Sequence, residues 1–153
     1  MSLAKSMPTS PAKEFAFALS DVARLLRTVS DQRARQLNMT RAQWAVLARL
    51  QRCQGAKQSE LADVLDLAPI TLARLIDKLC ELGLVERRDD AADRRANRLY
   101  LTKKATPTLE RLGALGEELM KGALAGVDAP SIAAMTANMS RIKANLKAEL
   151  SKG

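Results

Sequence analysis

Five arginines, Arg87, Arg88, Arg94, Arg95 and Arg98, fall within twelve consecutive residues of a 153-residue chain. A guanidinium is planar, permanently charged and rich in N–H donors, so a cluster of them suits phosphate oxygens and the narrow, electronegative minor groove of duplex DNA. Glu86, Asp89, Asp90 and Asp93 are interspersed with them, which leaves an internally paired surface hairpin as the alternative. Asp93 reads as orienting an arginine rather than opposing a nucleic acid. Upstream, Thr71 and Arg74 stand three residues apart, with Ile70 and Lys78 flanking them, a spacing that brings side chains together on one helical face. Arginine there bonds the guanine edge bidentately or holds a phosphate. The alternative for Arg74 and Lys78 is an ordinary solvated helix face.

Twenty-five Lys and Arg against seventeen Asp and Glu leave a net charge of +8, about twice that in a homodimer, which favours a polyanionic partner. Charge alone does not separate nucleic acid from a membrane surface. The absence of histidine removes the usual general base and the commonest transition-metal ligand. Cys53 and Cys80 are the only cysteines, and the seven glycines form no phosphate-cradling pattern. A zinc centre and a Ser-His-Asp triad are excluded, so no metal, cofactor or catalytic residue is expected, and the chain is expected not to be an enzyme. With 47% apolar and 27% charged residues the composition is that of a globular domain. No apolar run approaches the roughly 20 residues that cross a bilayer. Residues 1–13 lack a leader pattern, so a cytoplasmic protein without membrane contact is expected.

These side chains need elements to position them. From Glu14 to Leu37, Phe15, Ala18, Leu19, Val22, Leu25, Leu26 and Val29 recur at three and four residues, the period of an amphipathic helix. Thr40 followed by Gln43 forms a capping box opening a second helix to about Cys53, closed by Gln54-Gly55. A third helix is expected over Gln58–Leu65, a turn over Asp66-Leu67-Ala68, and a fourth helix with Pro69 in its first turn and Gly83 at its end. The period then shortens to two at Val85–Arg88 and Leu99–Leu101, a hairpin around a charged loop. Helical spacing returns after Thr102, where Pro107 either follows a Thr106 cap or kinks the helix. It restarts after Asp128 and Pro130 with Ile132, Met135, Met139, Ile142, Leu146 and Leu150 at near-heptad spacing.

The fold class expected from these elements is mainly α with a small β-hairpin wing. The stretch from Leu61 to Thr102 resembles the MarR family of regulators. The resemblance is carried by Glu60-Leu61-Ala62, by Arg74-Leu75-Ile76-Asp77-Lys78-Leu79 with Gly83-Leu84-Val85-Glu86-Arg87, and by the run from Asp93 to Thr102, which meets the pattern Asp-x-Arg-x-x-x-Leu-x-Leu-Thr at every fixed position. Gln43-Trp44 and Lys103-Lys104-Ala105-Thr106-Pro107 look closest to its SlyA branch. The resemblance implies a winged helix-turn-helix over 40–104, with 13–37 and 105–150 forming a helical dimerisation region packed with it in one protomer. It implies a sequence-specific regulator, most simply a repressor, that binds double-stranded DNA at a pseudo-palindromic operator as a homodimer.

By that resemblance Thr71 and Arg74 meet the major groove, with Ala68, Pro69, Ile70 and Lys78 completing the surface. Ile70 and Ala73 are less polar than many members carry there. Arg94 and Arg95 reach the minor groove from a wing that also contains Arg87, Arg88, Asp93 and Arg98. Phe15, Leu19, Val22 and Leu26 of the first helix, and Ile132, Met139, Ile142 and Leu146 of the last, supply the dimer face. A small anionic aromatic effector is implied between the two regions; Trp44, Arg24 and Arg27 are candidates for its lining, with core packing the alternative for Trp44. Two other functions fit the sequence: a helical protein-interaction module that binds no DNA, and a thiol-based redox sensor using Cys53 or Cys80. Small apolar packing is the alternative for both thiols.

Overall fold

The computed structural model describes residues 10–153; the first nine residues of the 1–13 segment lie outside it. Six helices and one two-stranded hairpin are formed among the described residues. They divide into two compact units, Met1–Glu117 and Glu118–Gly153.

Helix α1 covers Pro11–Arg35. It starts three residues before Glu14 because Ser10 and Pro11 make a better opening: the Ser10 hydroxyl accepts from the Lys13 N–H at 3.3 Å, and Pro11 has no N–H to leave unpaired. It ends two residues before Leu37, where successive i−3 hydrogen bonds tighten the last turn and Asn38 takes a positive φ of 55°. Helix α2, Arg41–Arg52, opens on the expected capping box. The Gln43 N–H donates to Thr40 Oγ1 at 3.1 Å and the Thr40 N–H to Gln43 Oε1 at 3.0 Å. Thr40→Ala is expected to cost about 1 kcal/mol and lower Tm by about 2–4 °C in a thermal melt; an unchanged Tm would mean that water replaces the cap at no loss.

Helix α3, Gln58–Leu65, has half of such a box. Glu60 Oε2 accepts the Lys57 N–H at 3.0 Å, but an ammonium has no lone pair with which to answer. Asp66 closes α3 in the left-handed region at φ 52°, and α4, Pro69–Glu81, begins three residues later with its proline at the first position. Gly83, at φ 73°, ends α4 by letting the Leu84 N–H reach Leu79 O at 2.9 Å. Strands β1, Val85–Asp89, and β2, Asn97–Leu101, pair antiparallel with Val85 opposite Leu101 and Asp89 opposite Asn97. Each runs further into the charged loop than side-chain alternation indicated, because backbone ladder bonds do not require apolar side chains.

Helix α5, Ala105–Ala123, starts at Ala105 rather than after a Thr106 cap. Pro107 is therefore its third residue, still among the first four whose N–H groups have no intrahelical acceptor, and neither a cap nor a kink is needed there. Helix α6, Ala129–Leu150, is capped by Asp128, whose Oδ1 accepts the Ser131 N–H at 2.8 Å.

The core of the first unit is built around α2. Val46, Leu47 and Leu50 are fully buried against Leu61 of α3, Leu72, Ile76 and Leu79 of α4, and Leu99 of β2, with Ala34, Ala105 and Leu112 closing the edges. This packing holds α3 and α4 at a fixed angle and fastens the hairpin beside them. In α1, by contrast, Phe15, Leu19, Val22 and Leu26 are exposed, with Val22 at 61%. In α6 no residue is buried; Met139 and Leu146 are exposed, and Ile132 and Ile142 are half-covered. None of the helices is long and apolar enough to cross a membrane among the described residues.

Candidate nucleic-acid interface

Helix α4 turns Leu72, Ile76 and Leu79 into the core, and this alone fixes what it turns outward. Ala68, Pro69, Ile70, Thr71, Arg74 and Lys78 are all exposed along its first three turns. Lys78 Nζ lies 3.5 Å from Glu81 Oε2, an exposed i,i+3 pair of little energetic weight. Arg74 has no ion pair among the described residues. The face is thus a short apolar and hydroxyl tip followed by a free guanidinium.

The five candidate arginines of the hairpin separate into two groups. Arg87, Arg88 and Arg98 are engaged within the protein. Arg87 bridges three elements: its Nη2 donates to Asp77 Oδ1 of α4 at 2.6 Å and its Nε to Gln58 Oε1 of α3 at 3.2 Å. Arg88 pairs with Glu86 and stacks 4.0 Å above the Tyr100 ring, a cation–π contact that occupies its flat face. Arg98 donates from Nη1 to Gly55 O at 2.7 Å, and its Nη2 lies 3.2 Å from Asp90 Oδ2. Arg94 and Arg95, at the tip of the loop, are exposed and carry no ion pair among the described residues.

Asp93 acts on the backbone and not on a guanidinium. Its Oδ1 accepts the Arg95 N–H at 2.9 Å, while its own carbonyl accepts the Ala96 N–H at 3.1 Å. The tip is folded by these bonds, so Arg94 and Arg95 project from a defined turn. The expected orienting role is exerted one bond earlier than the side chain.

Asp90 anchors the base of that turn. It is buried, its Oδ1 accepts the Ala92 N–H at 2.9 Å, and its Oδ2 faces Arg98 at 3.2 Å and Lys57 Nζ at 3.8 Å. Oδ2 has no aligned hydrogen bond, so these two charges, not directional bonding, compensate its burial. The Ala92 N–H holds the carboxyl below the ordinary carboxylate range; burial pulls the other way, and the Arg98 and Lys57 charges add to the lowering. A depressed folded pKa contributes stability above the unfolded value of about 3.9, lost as pH falls through the folded value. Trypsin cleavage after Arg94 and Arg95 at about pH 8 reports how readily the wing opens, and wing amide resonances are expected to stay unchanged from about pH 8 to 5 and to shift only below about pH 4. In Asp90→Asn the low-pH shift disappears and cleavage at neutral pH accelerates; a variant with wild-type cleavage would remove the anchoring role.

Lys57 and its neighbours support the wing at positions that sequence patterning missed. Lys57 forms an isolated bridge with Arg98, the Gly55 N–H donates to Leu99 O at 2.8 Å, and Gln54 Oε1 accepts the Leu101 N–H at 2.9 Å. Residues 54–57 thus act as a short third edge of the wing, tying it to the end of α2. Three or four residues are too few for periodicity to register. Gly55 is the one visible signal: at φ 82° it also leaves room for Tyr100, whose Oη would lie 3.0 Å from any Cβ there.

The two cysteines lie half-buried in different surroundings. Cys53 Sγ donates to Arg49 O at 3.1 Å, and burial pushes the Cys80 thiol up against the opposing influence of Arg87. Trp44 is half-buried against the core, and its ring lies 3.4 Å from where a Cβ on Gly116 would stand. A groove of about 580 Å³ runs beside α5, lined by Gln51, Thr106, Leu109, Glu110, Gly113, Ala114 and Glu117. Its lining includes two carboxylates and no cation, and neither Trp44 nor Arg24 nor Arg27 lines it.

Three helices around one core, the last with an exposed N-terminal face and followed by a two-stranded projection, define a winged helix-turn-helix protein. The MarR family model matches residues 39–96. The structure of the transcriptional regulator PA3341 is 35% identical, with a TM-score of 0.79 over 87% of this chain and 98% of that one. This chain belongs to the MarR family. The structure of the regulator SlyA matches at 24% identity and a TM-score of 0.77, over 88% of this chain and 95% of that one. A putative MarR family regulator from Listeria monocytogenes, crystallised with a 26mer DNA, matches at 24% and 0.80, over 90% and 94%. At that identity these two speak to the fold.

Proposed function

We propose that this protein is a sequence-specific regulator that binds double-stranded DNA as a two-fold dimer, with the α4 face in the major groove and the Arg94–Arg95 tip in the minor groove. The observation that carries the reading is the division among the arginines. Those nearest the protein body are taken up by internal partners, whereas Arg74, Arg94 and Arg95 are exposed without ion pairs among the described residues. A guanidinium kept free beside so many carboxylates is available to an external anion. The family membership and the DNA-bound Listeria relative support the same reading.

The dimer rests on Phe15, Leu19, Val22 and Leu26 of α1 and on Met139 and Leu146 of α6, together with the half-covered Ile132 and Ile142. Exposed apolar rows of this length on two helices are unusual for a protein that works alone. In this organisation α1 and the segment 105–150 form the dimerisation region and 40–104 the DNA-binding domain, in a cytoplasmic, non-enzymatic protein. Repression by occupancy of a pseudo-palindrome follows, with half-sites about one helical turn apart.

Selection of bound sequences from random duplex DNA at 50 and 200 mM salt tests this directly. The expected result is an inverted repeat with affinity falling about a thousandfold or more between the two salts, as for six or more neutralised phosphates. Recovery of no enriched sequence at the lower salt would sink the reading.

A further inference from the structure

The N-terminal tip of α4 has an exposed isoleucine where a polar side chain would be better solvated. Ile70 is 62% exposed and follows the exposed Ala68 and Pro69, so the first turn of the helix offers no polar side chain before Thr71. Ile70 and Arg74 are four residues apart and Thr71 and Arg74 three, which places all three side chains on one face. That face therefore combines an aliphatic group, a hydroxyl with its methyl, and a free guanidinium.

Each of these has a distinct complement in the major groove. Guanine presents two acceptors, O6 and N7, that fit a guanidinium fork; thymine alone presents a methyl group, which offers apolar contact and no donor. Ile70 has no hydrogen bond to give to a base edge. Left against water or a polar edge it gains nothing, and against a thymine methyl it buries apolar surface on both sides.

We infer that Ile70 is a specificity-determining residue that reads the methyl group of a thymine lying within two base pairs of a guanine held by Arg74. This deepens the DNA-binding reading and depends on it. The spacing is bounded by geometry: four residues of helix advance about 6 Å along an axis that crosses the groove at an angle, so the two contacts fall within two base-pair steps of about 3.4 Å. Thr71, beside Ile70 on the same face, adds its own methyl or hydroxyl to that edge.

The test uses the full-length chain and the duplex it enriches from a random library. In that duplex the thymine of each half-site nearest the enriched guanine is replaced by deoxyuridine, which removes the methyl and keeps every Watson–Crick group. The expected result is binding about fourfold weaker per methyl, or roughly fifteenfold for two half-sites. Ile70→Ala is expected to bind thymine and deoxyuridine duplexes equally while keeping its preference for the guanine. An enriched motif without thymine within two pairs of the guanine overturns the inference, as does a wild-type protein that binds both duplexes alike; either leaves the DNA-binding reading standing. Failure to enrich any duplex overturns both. Because the deoxyuridine arm needs only the wild-type protein, the outcome does not hang on the folding of the variant.

Discussion

Simultaneous replacement of Arg94 and Arg95 by alanine is expected to weaken binding to the enriched duplex by about a thousandfold at 0.15 M salt. In a dimer the substitution removes four cations, and each phosphate that is no longer neutralised withdraws about 0.9 from the slope of log K against log salt. The slope should therefore flatten by about 3.6, and extrapolated to 1 M salt most of the difference should vanish. Arg88→Ala serves as the control on the same hairpin. Its guanidinium is taken up by Glu86 and the Tyr100 ring, so its removal should change the slope by less than one phosphate's worth. Fluorescence anisotropy across a salt series measures both. Equal slopes for the double variant and the wild type would mean that the wing tip never reaches the nucleic acid.

The other large effect concerns the α1 face. Val22→Asp is expected to convert the proposed dimer to a 16.7 kDa monomer and to reduce affinity for the proposed inverted repeat by at least about a thousandfold. Val22 is the informative choice because it is 61% exposed in the single chain, so a carboxylate there stays hydrated in the protomer and costs the fold little. In a two-fold interface the same change is made twice, and each copy would bury an unpaired charge at a cost of several kcal/mol. Losing the partner also loses the second half-site, whose binding is otherwise intramolecular. Sedimentation velocity gives the mass and circular dichroism the retained helix content. A variant that remains dimeric would remove α1 from the interface.

Much of the fold was legible because its signals are local. Helix α3 was read to the residue, and the Thr40–Gln43 box marked the start of α2, since cap and periodicity both lie within a turn of the residues they govern. Boundaries moved where local signals competed: Ser10-Pro11 outweighed Glu14 at the start of α1, and Pro107 misdirected the start of α5 because a proline is tolerated at any of the first positions of a helix. The hairpin is legible at its apolar positions and not at its charged ones.

The candidate site was legible as a set of residues and not as a mechanism. Arg87, Arg88, Arg94, Arg95 and Arg98 are indistinguishable as residue types. What separates them is partners distant in sequence: Gln58 and Asp77 for Arg87, Gly55 and Asp90 for Arg98. Periodicity and capping report only on neighbours within about a turn, so the sequence by itself determined the elements, the outward face of α4 and the charge available to the wing. Which arginines hold the wing and which stay free for an external anion was decided by packing, because ion pairs form between groups brought together only when α2, α3, α4 and the hairpin close on a common core.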